Sequence, residues 1–187
     1  AGEPLTDKNG LEANQSPKPQ ALKQTAEFVA TAYGKALVEL ADENSNFVVL
    51  DADLSFDCKL REFEEKYAQR FIECGIAEQD MVSQASGLAL QGILPVVNSF
   101  ANFLAARANE QIANNMGEKK KIIYACHYAG LIPAGPGKSH QCVRDISLFG
   151  TFSDCEILQA CNLSEMRAVT RYAVLEAPGP VMIRVNI

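Results

Sequence analysis

Short apolar runs alternate along the chain with longer segments of helical spacing. Six runs rich in β-branched and aromatic residues predict β-strands; they are residues 47–51, 70–74, 94–98, 121–126, 154–158 and 181–185. Apolar residues at helical spacing predict helices over 21–42, 59–68, 77–90, 101–115, 142–148 and 162–176. Strands separated by helices pair in parallel through right-handed crossovers. The sequence therefore predicts an α/β fold, a doubly wound and mainly parallel six-stranded sheet with helices on both faces.

The first part of the chain follows neither pattern. Residues 1–20 are rich in Pro, Asn, Ser and charged side chains, and they show almost no apolar spacing, which is typical of a flexible linker or arm. The other residues, 21–187, suffice for one well-packed core and are too few for two large domains. We therefore expect an arm at 1–20 and a single domain over 21–187.

The charge balance excludes two classes of partner. The chain has 17 basic and 23 acidic residues, a net charge of -6, whereas nucleic-acid binders and membrane-surface proteins are usually basic. Nor does any apolar run approach the roughly 20 residues that span a bilayer. We expect protein and small-molecule partners, with no nucleic acid and no membrane.

The six cysteines lack the short CxxC spacing of zinc and redox pairs, and most lie in apolar stretches. This usage predicts buried, reduced thiols and a cytoplasmic protein. One alternative is a metal site that combines Cys126 and His127 with His140 and Cys142. Adjacent residues on an extended segment point to opposite faces, which disfavours that site. We therefore predict no metal ligands in this chain.

Candidate chemistry follows the predicted strands, because ligands of open α/β sheets bind outside the carboxyl ends of the strands. Glu78 lies in the first helical turn after the second strand, where an acidic residue also complements the helix dipole. Phe100 and Phe103 follow the third strand, at a spacing that also suits two core residues of one helix face. His127 and His140 belong to a long loop after the fourth strand, and loops this long are usually functional or mobile.

The same loop contains Gly137-Lys138-Ser139, the ending of a phosphate-binding P-loop. That motif requires a glycine five residues before Gly137, where this chain has Ile132. Pro133 and Pro136 also remove backbone donors from the would-be cradle. Nucleotide hydrolysis is therefore disfavoured.

In chain order, four segments together resemble the pyrimidine-binding domain of the transketolase family. They are VVLDADLS (48–55), RFIECGIAEQDMVSQASGLALQG (70–92), LPVVNSFANFLAARANEQI (94–112) and HYAGLIPAGPGKSHQ (127–141). The closing PGPVMIRV (178–185) resembles the end of the same domain. The resemblance covers Thr25 to Ile187 and depends on the set, because each piece alone is a weak signal.

The resemblance implies a cofactor and the residues that hold it. In this family, thiamine diphosphate lies across an interface, with its diphosphate and Mg²⁺ on one domain and its aminopyrimidine on another. Glu78 corresponds to the glutamate that hydrogen-bonds the aminopyrimidine and helps to activate the cofactor. Phe100 and Phe103 correspond to the aromatic residues that flank the ring. Asp53 and Ile76 are expected to contact the cofactor as well.

The two histidines are the candidates for proton transfer to and from the substrate. His140 corresponds to the histidine of the family's THQ segment, which reads SHQ here. His127 corresponds to a second substrate-facing histidine, in a loop that is one residue longer than usual. Both side chains have an unperturbed pKa near ~6.5, which suits this task.

The substrate end of the resemblance departs from ordinary transketolases. The family's acidic GEDGPTH segment reads AGPGKSH here, ending at His140, so a carboxylate is replaced by the cation of Lys138. The family's phosphate-binding arginine aligns with Ala30, and its serine falls near Asp57, whose charge would repel a phosphate. We expect Lys138 either to face a carboxylate or other small anion of the substrate, or to be a solvated loop residue.

The other half of the cofactor site is missing from this sequence. The chain has no G-D-G with a downstream asparagine, the family signature that holds Mg²⁺ and the diphosphate. It also has no segment that matches the family's third domain. We therefore expect a subunit of the C-terminal type found in split transketolases, active only with a diphosphate-binding partner subunit or domain, in a homo- or hetero-oligomer.

The expected reaction is the transfer of a two-carbon ketol or related acyl-anion unit. Two alternatives come from the same superfamily, a deoxyxylulose-phosphate-synthase-like protein and a β-type subunit of a 2-oxo acid dehydrogenase. A third is a non-catalytic regulatory or assembly subunit that keeps the fold. The altered substrate residues favour this third alternative, whereas the retention of Glu78 counts against it, because a buried carboxylate without a partner costs stability.

Overall fold

A computed structural model describes residues 28–131 and 137–186 of the chain. Its centre is a six-stranded sheet with the order β2-β1-β3-β4-β6-β5, in which every pair of neighbours is parallel. The strands are β1 Phe47–Asp51, β2 Phe71–Glu73, β3 Leu94–Phe100, β4 Ile123–His127, β5 Glu156–Gln159 and β6 Val181–Val185. The predicted fold class is confirmed.

Helices cover both faces of this sheet. They are α1 Val29–Glu43, α2 Arg61–Lys66, α3 Glu78–Leu90, α4 Asn109–Gly117, α5 Asp145–Phe149 and α6 Leu163–Leu175. Side chains alternate across each strand, so that Val49 and Val96 pack into one core with α1, α2 and α6. Leu50 and Val97 pack into a second core with α3, α4 and α5. Two separate apolar layers therefore hold the sheet in place.

Three strands extend further toward their carboxyl ends than the sequence predicts, β5 by one residue to Gln159 and two others next to the candidate site. β3 runs to Phe100 instead of residue 98, and β4 runs to His127 instead of residue 126. The reason is mutual pairing, because Ser99 lies opposite Cys126 and Phe100 lies opposite His127 in the parallel ladder. His127 is therefore a strand residue, and the prediction that it belongs to a loop is wrong.

The helix predicted over 101–115 is divided in two. Residues Phe103–Arg107 form a single π-helical turn, and α4 begins only at Asn109. The amide of Ala108 donates to the carbonyl of Phe103, five residues earlier, at 3.1 Å. This wider turn is common near functional sites and here lies at the carboxyl edge of the sheet.

One glycine allows α1 to pack closely against the loop that follows β1. A Cβ atom added to Gly34 would lie 2.0 Å from the carbonyl oxygen of Lys59. Lys59 itself has a positive φ of 59°. Only a residue without a side chain permits this approach, which fixes the loop where it borders the candidate site.

The predicted arm at 1–20 and the first part of the predicted N-terminal helix lie outside the described residues. The other predicted helices and strands are present; β1 and β6 have the predicted bounds, and the bounds of the others shift by one to several residues. Within residues 28–131 and 137–186, no helix has the length and apolarity to cross a membrane.

Candidate active site

A pocket of about 260 Å³ opens at the carboxyl edge of the sheet, between the loops after β1, β2, β3 and β4. Its lining consists of Ala52, Asp53, Leu54, Ile76, Glu78, Phe100, Phe103, Arg107 and His140. Six of the eight residues predicted for the site are therefore brought together. A larger cleft of about 380 Å³ lies beside residues 65–70, away from all of them.

Glu78 is the first residue of α3, and its carboxylate is 1% exposed. One oxygen, Oε2, accepts a hydrogen bond from Nη1 of Arg107 at 2.6 Å. The other, Oε1, accepts a weak one from Oγ of Ser99 at 3.5 Å. The amino end of the helix also favours a negative charge at this position. The pocket thus contains a buried carboxylate whose charge is compensated by one arginine and one helix terminus.

Arg107 is a site residue that the sequence analysis missed. Its guanidinium carbon lies 4.2 Å from the centroid of the Phe103 ring, within the range of cation–π contacts. The side chain is 44% exposed although its partner is buried. The position of Arg107 one helical turn after Phe103 was the available signal, but the π-helical turn that sets its direction cannot be seen in the sequence.

Aromatic rings form one wall of the pocket. The ring centroids of Phe100 and Phe103 are 5.5 Å apart, and the His140 ring lies 5.7 Å from the first and 5.3 Å from the second. Tyr128 packs behind Phe100 at 4.5 Å. Tyr128 was also missed; its φ is +54°, and its hydroxyl donates to Oδ1 of Asp57 at 3.3 Å.

His140 is anchored at the pocket through its neighbour Ser139. Nδ1 of His140 and Oγ of Ser139 share a hydrogen bond of 2.9 Å. Nδ2 of Asn102, which lies between the two phenylalanines in sequence, donates to the carbonyl of Ser139 at 2.8 Å. The loop after β4 is therefore tied to the segment that follows β3, and the imidazole is held against the aromatic wall.

The opposite rim carries Asp53 and Ile76, and Glu73 links the two loops to which they belong. Oε1 of Glu73 accepts from the amide of Asp53 at 2.9 Å and from the amide of Gly75 at 2.7 Å. Asp53 has a φ of +59°, and Ile76 is 73% exposed. One carboxylate thus fixes two neighbouring loops and presents an aliphatic side chain outward at the mouth of the pocket.

A second group of polar residues lies behind the pocket, on the α1 face of the sheet. This buried polar layer consists of Tyr33, Asp51, Asn98 and His127. The Tyr33 hydroxyl donates to Oδ1 of Asn98 at 2.7 Å, and Nδ2 of Asn98 donates to the carbonyls of Leu50 and Val96. The rings of Tyr33 and His127 meet edge to face at 5.2 Å.

The titratable groups of this layer are shifted toward their neutral forms. Burial, with the charge of Lys59 adding to it, lowers the pKa of His127 to about 3. Burial also raises the pKa of Asp51 to about 7, and the negative charge of Glu73 adds to that rise. Neither ring nitrogen of His127 has a hydrogen-bond partner within the described part of the chain. The layer therefore carries little charge below about pH 7 and gains the charge of Asp51 above it.

Comparison with known protein families identifies this arrangement. The model of the transketolase pyrimidine-binding domain matches residues 28–186, which is most of the chain. The chain therefore belongs to the transketolase family. The fold is thus that of a pyrimidine-binding domain, as the sequence resemblance implied.

Individual relatives agree with this assignment. A protein of Methanocaldococcus jannaschii, provisionally named a transketolase C-terminal section, is 33% identical over 153 residues, which are 81% of this chain. The 1-deoxy-D-xylulose-5-phosphate synthase of Clostridium acetobutylicum is 32% identical over 166 residues, 88% of this chain. A solved split-gene transketolase, described as an inactive β4 tetramer, is 38% identical, with a TM-score of 0.74 over 84% of this chain.

The pyrimidine-binding domain spans only part of each of these relatives. It covers 48% of the Methanocaldococcus protein, 26% of the Clostridium synthase and 51% of the split-gene transketolase chain. The transketolase of Campylobacter jejuni, at 20% identity, shares the fold with a TM-score of 0.74. The match therefore defines a domain, and the activity of a whole enzyme is a further step.

Two predicted site residues are not among those that line the pocket. His127 is buried in β4, as described above, and Lys138 is exposed on a short turn, Gly137–Ser139. Residues 132–136, the part of the loop before this turn, lie outside the described residues. The substrate roles of His127 and Lys138 remain predictions.

The alternative metal site is not formed by the residues proposed for it. Cys126 packs in the core on the α3 face, and His127 lies on the opposite face of the same strand. Across residues 28–131 and 137–186, no three His, Cys, Asp or Glu side chains are grouped as metal ligands. All six cysteines are free thiols, and burial raises the pKa of Cys58 and Cys126.

Proposed function

We propose that this chain supplies the aminopyrimidine-binding half of a thiamine-diphosphate-dependent active site. The enzyme would transfer a two-carbon ketol or related acyl-anion unit. The observation that supports this proposal best is the pairing of a buried carboxylate with an aromatic wall. Glu78 lies at the base of a narrow pocket, beside the rings of Phe100 and Phe103.

The pocket residues suit an aminopyrimidine ring in both shape and chemistry. A flat heteroaromatic ring can stack on the two phenylalanines while its ring nitrogen shares a proton with the Glu78 carboxylate. Asp53 and Ile76 would contact the cofactor from the opposite rim. When bound, thiamine diphosphate supplies the nucleophilic carbon that takes up the two-carbon unit. His140 lies on the open side of the aromatic wall, where it can exchange protons with a substrate oxygen.

We assign His127 a less direct role. It lies opposite Phe100 in the sheet register and edge-on to Tyr33, one layer behind the aromatic wall. For His127 to exchange protons with the substrate, Tyr128 or Phe100 would have to move. Its predicted contact with the substrate is therefore retained as a proposal that requires such a movement.

The diphosphate and Mg²⁺ would be held by a partner subunit or domain. Three observations support this part of the proposal. The sequence has no G-D-G signature. A similar split-gene transketolase is described as inactive when it is a β4 tetramer. Finally, Ile76 leaves an aliphatic side chain 73% exposed at the pocket mouth, where a partner that completes the site would cover it. The free thiols favour assembly in the reducing cytoplasm.

A second candidate function is favoured by one specific observation. The Clostridium relative, at 32% identity, is a 1-deoxy-D-xylulose-5-phosphate synthase, so a synthase-like reaction of the same cofactor is the runner-up. The β-type subunit of a 2-oxo acid dehydrogenase has no comparable support. A non-catalytic role is disfavoured, because the compensated charge of Glu78 and the ordered aromatic wall would serve no purpose in a regulatory subunit. Product analysis separates the two enzymatic candidates.

Lys138 is proposed to bind an anionic group of the substrate. It is exposed and lies two residues before His140, so its ammonium group can reach a substrate held at that histidine. Replacing Lys138 by Ala should raise the KM for an acidic substrate and leave kcat nearly unchanged, since the contact is made equally in the ground and transition states. An unchanged KM would indicate a solvated loop lysine.

The experiment that tests the proposed function begins with the partner. The tagged chain is recovered from its own cells, and the proteins that accompany it are identified by mass spectrometry. We expect a protein with the G-D-G and asparagine signature, and ketol transfer by the complex that requires thiamine diphosphate and Mg²⁺. Recovery of the chain without such a partner, together with no cofactor-dependent turnover, would contradict the proposal.

A further inference from the structure

Arg107 occupies the two groups that the proposed function assigns to the cofactor ring. Its Nη1 donates to Oε2 of Glu78 at 2.6 Å, and its guanidinium lies over the face of Phe103 at 4.2 Å. A guanidinium is planar and delocalised, with N–H donors in its plane. In these respects it resembles a protonated aminopyrimidine, which would also donate to the carboxylate and stack on the ring.

The two groups cannot be accommodated together without rearrangement. The Glu78 carboxylate is only 1% exposed, so a ligand reaches it only if a neighbouring group moves away. Of the side chains that contact the carboxylate, Ser99 is fully buried in β3, whereas Arg107 is 44% exposed at the end of a long flexible stem. Arg107 is therefore the group that can leave.

We infer that Arg107 is an internal competitor for the aminopyrimidine, exchanged for the ring when the cofactor binds. The inference rests on the proposed function and adds to it a residue that sets cofactor affinity. Within residues 28–131 and 137–186, the guanidinium has no hydrogen-bond partner other than Glu78. Its departure therefore breaks one charge-assisted hydrogen bond and one ring contact, and both are replaced by the cofactor.

The inference predicts an unusual effect of removing Arg107 on the affinity for the cofactor. Removing an arginine from a pocket that binds an anionic cofactor would ordinarily weaken binding, because the local positive charge is lost. If Arg107 competes with the ring, its removal instead strengthens binding, since the carboxylate no longer has to be released first. The direction of the change in affinity thus decides between competition and direct support of the cofactor.

The test is a calorimetric titration of thiamine diphosphate, in the presence of Mg²⁺, into the complex of the full chain with its diphosphate-binding partner. Arg107→Met keeps the length of the side chain and removes its donors. We expect its Kd to fall about tenfold, consistent with the loss of one competing hydrogen bond to a charged group. Arg107→Lys keeps the charge but cannot cover the ring as a plane, so its Kd should lie between those of Arg107→Met and the wild type.

A second readout separates competition from a merely structural role. In the absence of added cofactor, Arg107→Met should lower the unfolding temperature of the complex, because Glu78 is left buried without its cation. Addition of the cofactor should then raise the unfolding temperature by more than it does in the wild type. Arg171→Met serves as the control, since Arg171 forms an exposed ion pair with Glu43 away from the pocket; its Kd should equal that of the wild type.

Equal or weaker binding by both Arg107 variants would overturn the inference. If Arg107→Met does not assemble with the partner, the Kd of Arg107→Lys is compared with that of the wild type instead. Glu78→Gln distinguishes the two levels of the argument. When Glu78→Gln abolishes turnover and Arg107→Met weakens binding, only the competition is refuted. If neither the wild-type complex nor any variant complex binds thiamine diphosphate, and Glu78→Gln leaves turnover unchanged, the proposed function fails and this inference fails with it.

Discussion

Two buried carboxyl groups at the same edge of the sheet are stabilised in opposite ways. Glu78, on the α3 face, is paired with Arg107 and lies at a helix amino terminus. Asp51, at the end of β1, belongs to the buried polar layer on the α1 face, and burial raises its pKa to about 7. The first group is paired with a cation, and the second is kept largely neutral by a proton below that pH.

The two histidines also differ in burial and in their hydrogen-bond partners. His140 lies half-buried against the aromatic wall, with one ring nitrogen bonded to Ser139. His127 is buried without a polar partner among the described residues, and its pKa is lowered to about 3. The comparison shows that a titratable residue near the carboxyl edge need not line the pocket. The pocket is distinguished by a carboxylate that is paired with an arginine and lies next to an aromatic wall.

The largest expected difference between the two carboxyl groups is in turnover, when each is replaced by its amide. Glu78→Gln should lower turnover of the assembled enzyme by at least about 100-fold, because proton exchange with the cofactor ring is lost. In assays below pH 7, Asp51→Asn should leave turnover nearly unchanged, because it imitates the protonated acid that predominates there. Steady-state kinetics of both variants, with their secondary structure checked by circular dichroism, provide the measurement. Equal losses in the two variants would refute the division into two regions.

The pH dependence of unfolding sharpens the comparison within the buried polar layer. The folded-state pKa of His127, about 3, lies below its ordinary 6.5, so its contribution to stability is present above pH 6.5 and is lost as the pH falls toward 3. Asp51 has the opposite sign, because its pKa rises from 3.8 to about 7; its contribution is present below pH 3.8 and is lost as the pH rises through 7. The two slopes oppose each other in acid.

Substitutions should separate these slopes. Relative to the wild type, His127→Phe should gain stability as the pH is lowered from 6.5, by up to about 1.4 kcal/mol per pH unit. Asp51→Asn should gain stability relative to the wild type as the pH is raised from 4 to 7, with the same upper limit. Urea unfolding at several pH values measures both. Parallel curves for the wild type and both variants would show that neither group titrates as described.

The smallest expected effect concerns the hydrogen bond between Tyr33 and Asn98. Tyr33→Phe leaves Oδ1 of Asn98 buried without its donor, which should cost about 1–3 kcal/mol of unfolding free energy. Tyr172→Phe is the matched control, because Tyr172 donates to the less buried Glu156, where water can replace the hydroxyl. Chemical denaturation compares the two. A larger loss in the control would indicate that the buried polar layer adds little to stability.

The fold could be predicted from the sequence because the sheet is buried on both faces. Parallel strands of this kind are continuous apolar runs, such as FVVLD in β1 and VMIRV in β6, and turns separate them clearly from the helices. Glu78 could be placed at the start of the helix after β2 for a similar reason, whereas its role was indicated only by the resemblance of the surrounding segments. These features depend on local pattern, which the sequence contains.

The features that the sequence did not reveal depend on pairing and on side-chain direction. His127 belongs to β4 because Phe100 pairs with it across the ladder, and this register is a tertiary property. Tyr128 reaches Phe100 through a left-handed backbone conformation that its residue type does not suggest. Arg107 meets Glu78 across 29 positions of sequence, as a result of packing between two helical segments.

The position of the Arg107 side chain depends on the number of residues in the π-helical turn Phe103–Arg107. Such a turn contains one residue more than an α-helical turn, and each residue of a helix rotates the next by about 100°. Deleting a single residue between Phe103 and Arg107 would remove the surplus residue, so that the segment would have to close into an α-helical turn. The distance between the guanidinium and the carboxylate would then change although both residues are retained. Insertions and deletions in this turn therefore deserve as much weight as substitutions when cofactor affinity is compared between relatives.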